Sequence, residues 1–145
     1  MNERLENLYK KHILEHAKSP CNEYENMEAS LVIKAYNPMC GDKFNFYIDV
    51  EDSHIKGASF SGFGCSISKA SSSVLTKKMI GKDISELLAL IENFMKIVSE
   101  ECPVNPEEIS TDEELLAFSG ARDFPERKQC ASLGWEEVFD TLKDR

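Results

Sequence analysis

Between residues 29 and 64 the chain alternates apolar and polar side chains in three runs, with turn-forming residues between them. Ala29, Leu31, Ile33 and Ala35 take every second position in the first run. Phe44, Phe46, Ile48 and Val50 do so in the second, with Lys43, Asn45, Tyr47 and Asp49 on the opposite face. A period of two is the signature of a strand with one apolar face. "YNPMCGD" and "EDSH" separate the runs, and the third, "IKGASFSGFG", is interrupted by glycines. Connections this short allow only antiparallel pairing, because a parallel crossover needs a dozen residues or more.

The cover for that sheet comes from helical patterns on either side. Leu5, Leu8, Tyr9, His12, Ile13, His16 and Ala17 follow helical spacing up to a stop at Pro20. A second helix is expected from Ile67, with Ala70, Val74 and Leu75 inward and Gly81 as its end. Asp83 and Glu86 form a capping box that opens a strongly amphipathic helix through Val98. Residues 99–114, with two prolines, seven acidic groups and no basic ones, read as a solvated loop. "ELLAFSG" adds a short helical piece, and a final helix runs from near Glu126 to Leu142, burying Leu133, Val138 and Leu142. The expected fold is α+β: a three-stranded antiparallel sheet with helices packed on one face, in a single domain over 1–145.

Seventeen basic against 26 acidic residues leave a net charge of −9. Nucleic acid and anionic membranes are polyanions that need a basic footprint, so neither is an expected partner. No stretch reaches the ~20 apolar residues of a membrane span. "MNERLENLYKKH" holds no apolar signal core, which makes the cytoplasm the expected compartment. Cysteines stay reduced there, and an odd count of five points to metal binding or thiol chemistry for any that cluster.

Three of the five sit at the ends of elements, where distant segments can meet. Cys40 lies in the turn between the first two strands beside Gly41 and Asp42, Cys65 follows the third strand, and Cys130 lies near the start of the last helix. Three thiolates and a carboxylate make a tetrahedral zinc set. The spacing is not that of a zinc finger, and no C-x2-C knuckle is present. Taken alone, a cytosolic cysteine is as often a small buried hydrophobe, and an aspartate after glycine is commonly a turn-former.

The local sequences carry more. "NPMCGD", "GFGCSISKASSSVL" and "RKQCASLGW" resemble, in order and content, the three cysteine motifs of the SufU/IscU family of iron–sulfur assembly proteins, and "LENLYKKHILEHAKSPCN" is similar to the family's opening helix. The resemblance implies a metal site at Cys40, Asp42, Cys65 and Cys130. Scaffold members of the IscU branch have a histidine directly before the last cysteine and an LPPVK docking motif upstream. Here Gln129 and "GARDFPERKQC" stand in those places. An acidic insertion around 99–121 and "FPER" are similar to the SufU-type branch, although that branch often has lysine where Gln129 stands.

The SufU-type resemblance implies a zinc-dependent sulfurtransferase. It would take persulfide sulfur from a SufS-type cysteine desulfurase and pass it to downstream iron–sulfur scaffold proteins. Cys40, in a glycine-flexible turn, matches the family's acceptor, and a histidine of the desulfurase would take its place on zinc during transfer. The alternatives are a scaffold that binds a transient iron–sulfur cluster at the same cysteines, and a domain whose Zn2+ is purely structural. His12 and His16 are assigned to packing, His54 to a turn, "SSS" at 71–73 to a helix, and Cys21 and Cys102 to loops.

Overall fold

Each alternating run becomes a strand. In the computed structural model, which describes residues 2–144, β1 (Leu31–Asn37), β2 (Asp42–Glu51) and β3 (His54–Phe63) form one antiparallel sheet in the order β1-β2-β3. Ile33 pairs with Phe46 and Phe46 with Phe60, so the apolar positions share one face, and all three are buried. Phe60 packs against Phe44 and Phe46 with ring centroids 6.0 and 6.4 Å apart. On the opposite face Lys34, Tyr36, Lys43 and Phe63 are exposed, whereas Tyr47 is buried and its hydroxyl meets Ser61 Oγ at 2.8 Å.

The helices cover the buried face. Glu3–Leu8, Tyr9–Ile13 and Leu14–Lys18 run on as one helix, α1, whose middle segment is wound as a π-helix. The reason lies in the sequence. Leu5, Leu8, Ile13 and His16 are the buried positions, and the step from Leu8 to Ile13 is five residues. One i→i+5 turn spans that step. Then follow α2 (Ser66–Met79) and α3 (Ile84–Val98), the latter opened by the expected capping box of Asp83 and Glu86. The last helix, α6 (Pro125–Leu142), has Pro125 at its first turn, where a missing N–H costs nothing. It packs on α2, α3 and β1, and Trp135 stacks on Phe94 of α3 with centroids 3.8 Å apart. Val138 and Leu142 are buried as expected, whereas Leu133 is only half-buried. No helix among the described residues is long and apolar enough to cross a membrane.

The expected loop over 99–114 needs correction. It contains a helical turn, α4 (Pro106–Ile109), capped by the Asn105 side chain, and it leads into another, α5 (Glu113–Leu116), capped by Asp112. Counting its acids as solvated charge misses that Asn-Pro and Asp-Glu-Glu are helix-start signals, with carboxylates favoured in the first turn. Glu114 in particular turns inward. His16 Nε2, donating to this acceptor-only carboxylate, reaches Glu114 Oε2 at 2.5 Å, and Lys77 and Lys78 reach Oε1 at 2.9 and 2.8 Å. His16 Nδ1 meets Ser73 Oγ at 2.7 Å, and the same oxygen accepts the Cys21 N–H at 2.7 Å. The 99–114 stretch is thereby fastened to α1 and α2.

Burial alone would raise the Glu114 carboxyl, but the hydrogen bonds from Lys78, Lys77 and His16 outweigh it and hold the pKa at about 2. A folded-state pKa below the unfolded value stabilises the fold above the unfolded pKa, and that stability is lost as pH falls toward the folded one. Glu114→Gln should therefore lower stability at neutral pH by about 1.5–3 kcal/mol. It should also flatten the decline between about pH 5 and pH 2 in urea titrations. A variant whose acid limb parallels the wild type would show that this network does not set it.

Candidate metal centre

The turn from β1 to β2 is tight. The Gly41 N–H donates to Asn37 O at 2.8 Å and the Met39 N–H to Asn37 Oδ1 at 3.1 Å, with Gly41 at φ 74°, a conformation that glycine adopts without strain. This leaves Cys40 exposed at the tip and starts β2 with Asp42, which has 0% exposure. Cys65 is the N-cap of α2, its Sγ accepting the Ser68 N–H at 3.4 Å, a place where Ser, Thr, Asp or Asn usually stands. Cys130 lies in the second turn of α6 and is 8% exposed.

These elements bring the expected ligands to one rim of the sheet. Donor atoms of Cys40, Asp42 and Cys130 all lie within 4.8 Å of one another, and the Cys130 and Cys40 sulfurs are 3.9 Å apart. The Cys65 sulfur lies outside that close group, though its thiol adjoins that of Cys130 and its backbone N–H donates to Asp42 Oδ1 at 3.1 Å. Cys21 and Cys102 lie elsewhere and remain half-buried free thiols. His12 is on α1, and His54 Nδ1 pairs with Asp83, so no histidine enters the cluster.

Among the described residues, the charges at this rim are balanced by no basic side chain. Burial, then the neighbouring Cys65 and Asp42, push the Cys130 thiol far above its ordinary range. No Lys, Arg or His among the described residues pairs with Asp42. Its two oxygens differ sharply. Oδ1 accepts from the Cys65 N–H and from Ser68 Oγ, each at 3.1 Å, while Oδ2 is buried without a hydrogen-bond partner. An unsatisfied buried carboxylate oxygen costs several kilocalories per mole unless something occupies it. Two sulfurs and this oxygen are gathered closely enough to share one ion, and thiolates with a carboxylate are donors that suit zinc, so the residues present fit the metal, with the Cys65 sulfur outside the close group.

Two contributors escape a reading of the sequence alone. Ser68 lies three residues after Cys65 and touches both Asp42 and the Cys65 sulfur. Gly64 leaves room for that contact, since a Cβ there would lie 2.4 Å from Ser68 Oγ and 2.5 Å from Asp42 Oδ1. The signal is present in "GFGCSIS", where a serine at the third helical position follows a cysteine in the cap position.

The model of the family described as NifU-like N terminal domain matches residues 8–144. The chain belongs to this family. It is 35% identical over 138 residues to the zinc-dependent sulfurtransferase SufU of Bacillus subtilis, covering 94% of this chain and 90% of that one. It is 33% identical over 141 residues to the iron-sulfur cluster assembly scaffold protein IscU of Streptococcus pyogenes, covering 97% and 86%. Among solved structures, a candidate iron-sulfur cluster assembly scaffold protein for the SUF system from Fervidobacterium islandicum superposes with a TM-score of 0.82 at 25% identity, covering 94% of this chain and 97% of that one.

The difference among the thiols is measurable. In metal-free protein at neutral pH, iodoacetamide should modify the exposed Cys40 and Cys65 well before Cys130, which is buried and whose thiol that burial pushes up. Timed peptide mass mapping reads the order. Cys130 labelled first would mean that its burial or its surroundings differ from those described.

Proposed function

We propose that this protein is a zinc-dependent sulfur acceptor that takes persulfide sulfur from a SufS-type cysteine desulfurase and passes it on for iron–sulfur cluster assembly. The observation that carries the reading is the asymmetry of the thiols around Asp42. Cys40 is exposed on a turn, whereas Cys65 caps one helix and Cys130 is buried in another. Cys65 is exposed as well, so what distinguishes Cys40 is its turn, which can move to meet a partner's sulfur while Cys65 stays at its helix start and Cys130 in packed structure. Gln129 stands before Cys130, where scaffold members of the family have a histidine, and this supports the same reading. So does the sulfurtransferase among the relatives.

The residues divide the work. The Cys40 thiolate attacks the terminal sulfur of the donor's persulfide. A new S–S bond forms at Cys40 Sγ, the donor's S–S bond breaks, and the donor cysteine leaves as a thiolate. The transferred sulfur keeps its proton, and no net oxidation or reduction occurs. Cys65, Asp42 and Cys130, with Cys40, would hold the metal. Zinc bound there keeps thiols ionised at neutral pH without redox chemistry of its own. Gly41 gives the Cys40 turn the freedom to present its sulfur at low backbone cost. The roles of the four residues follow from this proposal and from the resemblance of their motifs.

A second reading has its own support. The Streptococcus pyogenes relative is named a scaffold protein, and the same donor set would accept an iron–sulfur cluster as cargo. Metal analysis separates the two. Colourless protein with one zinc per chain is expected, whereas brown protein with stoichiometric iron and acid-labile sulfide would establish the scaffold reading instead. Cys40→Ala, Cys65→Ala and Cys130→Ala should each reduce desulfurase stimulation to the desulfurase's own rate, with Cys21→Ala and Cys102→Ala near wild type. After incubation with desulfurase and cysteine, non-reducing mass mapping should find one extra sulfur on the Cys40 peptide. The extra mass on the Cys130 peptide instead would make α6 the delivery arm and remove Cys40 from that role.

A further inference from the structure

We propose that Ser68 is a positioning residue for the metal centre: it holds Asp42 by one oxygen so that the other is presented to the thiols. The proposal rests on the reading of the cluster as a metal site but not on sulfur transfer. The last torsion of an aspartate is soft and roughly two-fold, so nothing within the side chain decides which oxygen faces the cysteines. Two donors decide it here. The Cys65 N–H and the Ser68 hydroxyl converge on Oδ1, both at 3.1 Å, and Oδ2 is left buried and unpaired.

The hydroxyl of Ser68 has one proton and three groups within reach, Asp42 Oδ1 at 3.1 Å, the Cys65 carbonyl at 3.0 Å and the softer, more distant Cys65 Sγ at 3.5 Å. That carbonyl already accepts the Lys69 N–H at 3.0 Å. The carboxylate is charged and is the stronger acceptor, so the proton goes to Asp42. The backbone N–H of the same residue meets Cys65 Sγ at 3.4 Å, so Ser68 braces two of the proposed ligands at once. Glycine at 64 keeps the space in which this happens, since a side chain there would wedge between the hydroxyl and the carboxylate. Outer partners of this kind fix the orientation of metal ligands, and their loss typically costs 10–100-fold in affinity.

Ser72 supplies the control. It is buried one turn further along α2, and its hydroxyl donates to the Ser68 carbonyl at 2.9 Å rather than to Asp42. Zinc affinity, read by competition with a chromophoric chelator, should fall about 10–100-fold in Ser68→Ala and stay near wild type in Ser72→Ala. Urea unfolding of the metal-free variants should show similar stability losses for the two. In Co2+-loaded Ser68→Ala the d–d bands should shift while the thiolate charge-transfer intensity is kept, because the three sulfurs remain. Gly64→Ala, which leaves the hydroxyl but intrudes on its bond, should give the same spectral change. Wild-type affinity and spectrum in either Ser68→Ala or Gly64→Ala would overturn the proposal, as would an equal affinity loss in Ser72→Ala. These readouts do not use sulfur transfer. A protein that behaves as expected here yet never carries a persulfide would end the functional proposal and leave the role of Ser68 standing.

Discussion

A carboxylate with no exposed surface, anchored through one oxygen only, organises one rim of this molecule. Asp42 opens β2, and its Oδ1 takes the N–H of the residue that caps α2 and the hydroxyl of Ser68 one turn on. Through that oxygen the β1–β2 turn, the exit from β3 and the start of α2 are fixed relative to one another. Burying a lone carboxylate is costly, and two hydrogen bonds recover only part of the cost. What remains unsatisfied is Oδ2, and it lies beside the sulfurs. The fold therefore accepts a local penalty at the place where its chemistry is proposed to occur.

The separation of core and rim explains which parts are legible in the sequence. The strands are legible because a period of two has one physical meaning once one face is buried, and Ile33, Phe46 and Phe60 do line up across the sheet. The capping box at Asp83 and Glu86 is legible because it is local. The meeting of Cys40, Asp42 and Cys130 is not legible from spacing, since 90 residues separate the outer two sulfurs. The resemblance of the motifs supplies that expectation, and the structure brings the three together.

Other features stay hidden for reasons that can be named. The π-helical turn of α1 stays hidden because Leu8, Tyr9, His12 and Ile13 also satisfy the ordinary 3,4 helical spacing, so the pattern gives no sign of the wider turn. The acidic stretch after α3 looks like a loop by composition, yet its caps are positional signals, and Glu114 finds its partners 37 and 98 residues away. Ser68 escapes notice because a serine near a helix start is ordinarily part of the cap. Its second contact, across to Asp42, depends on a glycine four residues earlier and on a strand 26 residues back.

The unequal attachment of the three thiols then acquires a physical sense. A group that must both hold a metal and exchange sulfur with a partner faces opposing demands, firmness for the first and reach for the second. Built entirely on helices, the site would hold metal firmly but could release a sulfur only by disturbing packed turns. Built entirely on loops, it would lose affinity to the entropy of ordering them. Here Cys65 and Cys130 belong to helices that pack against each other, and α6 is locked to α3 by the Trp135–Phe94 stack. Cys40 alone hangs on a turn closed by Asn37 and Gly41. Movement confined to that turn leaves the core contacts intact, so on the proposed function the mobility that sulfur exchange requires is drawn from the one segment whose rearrangement the core does not resist.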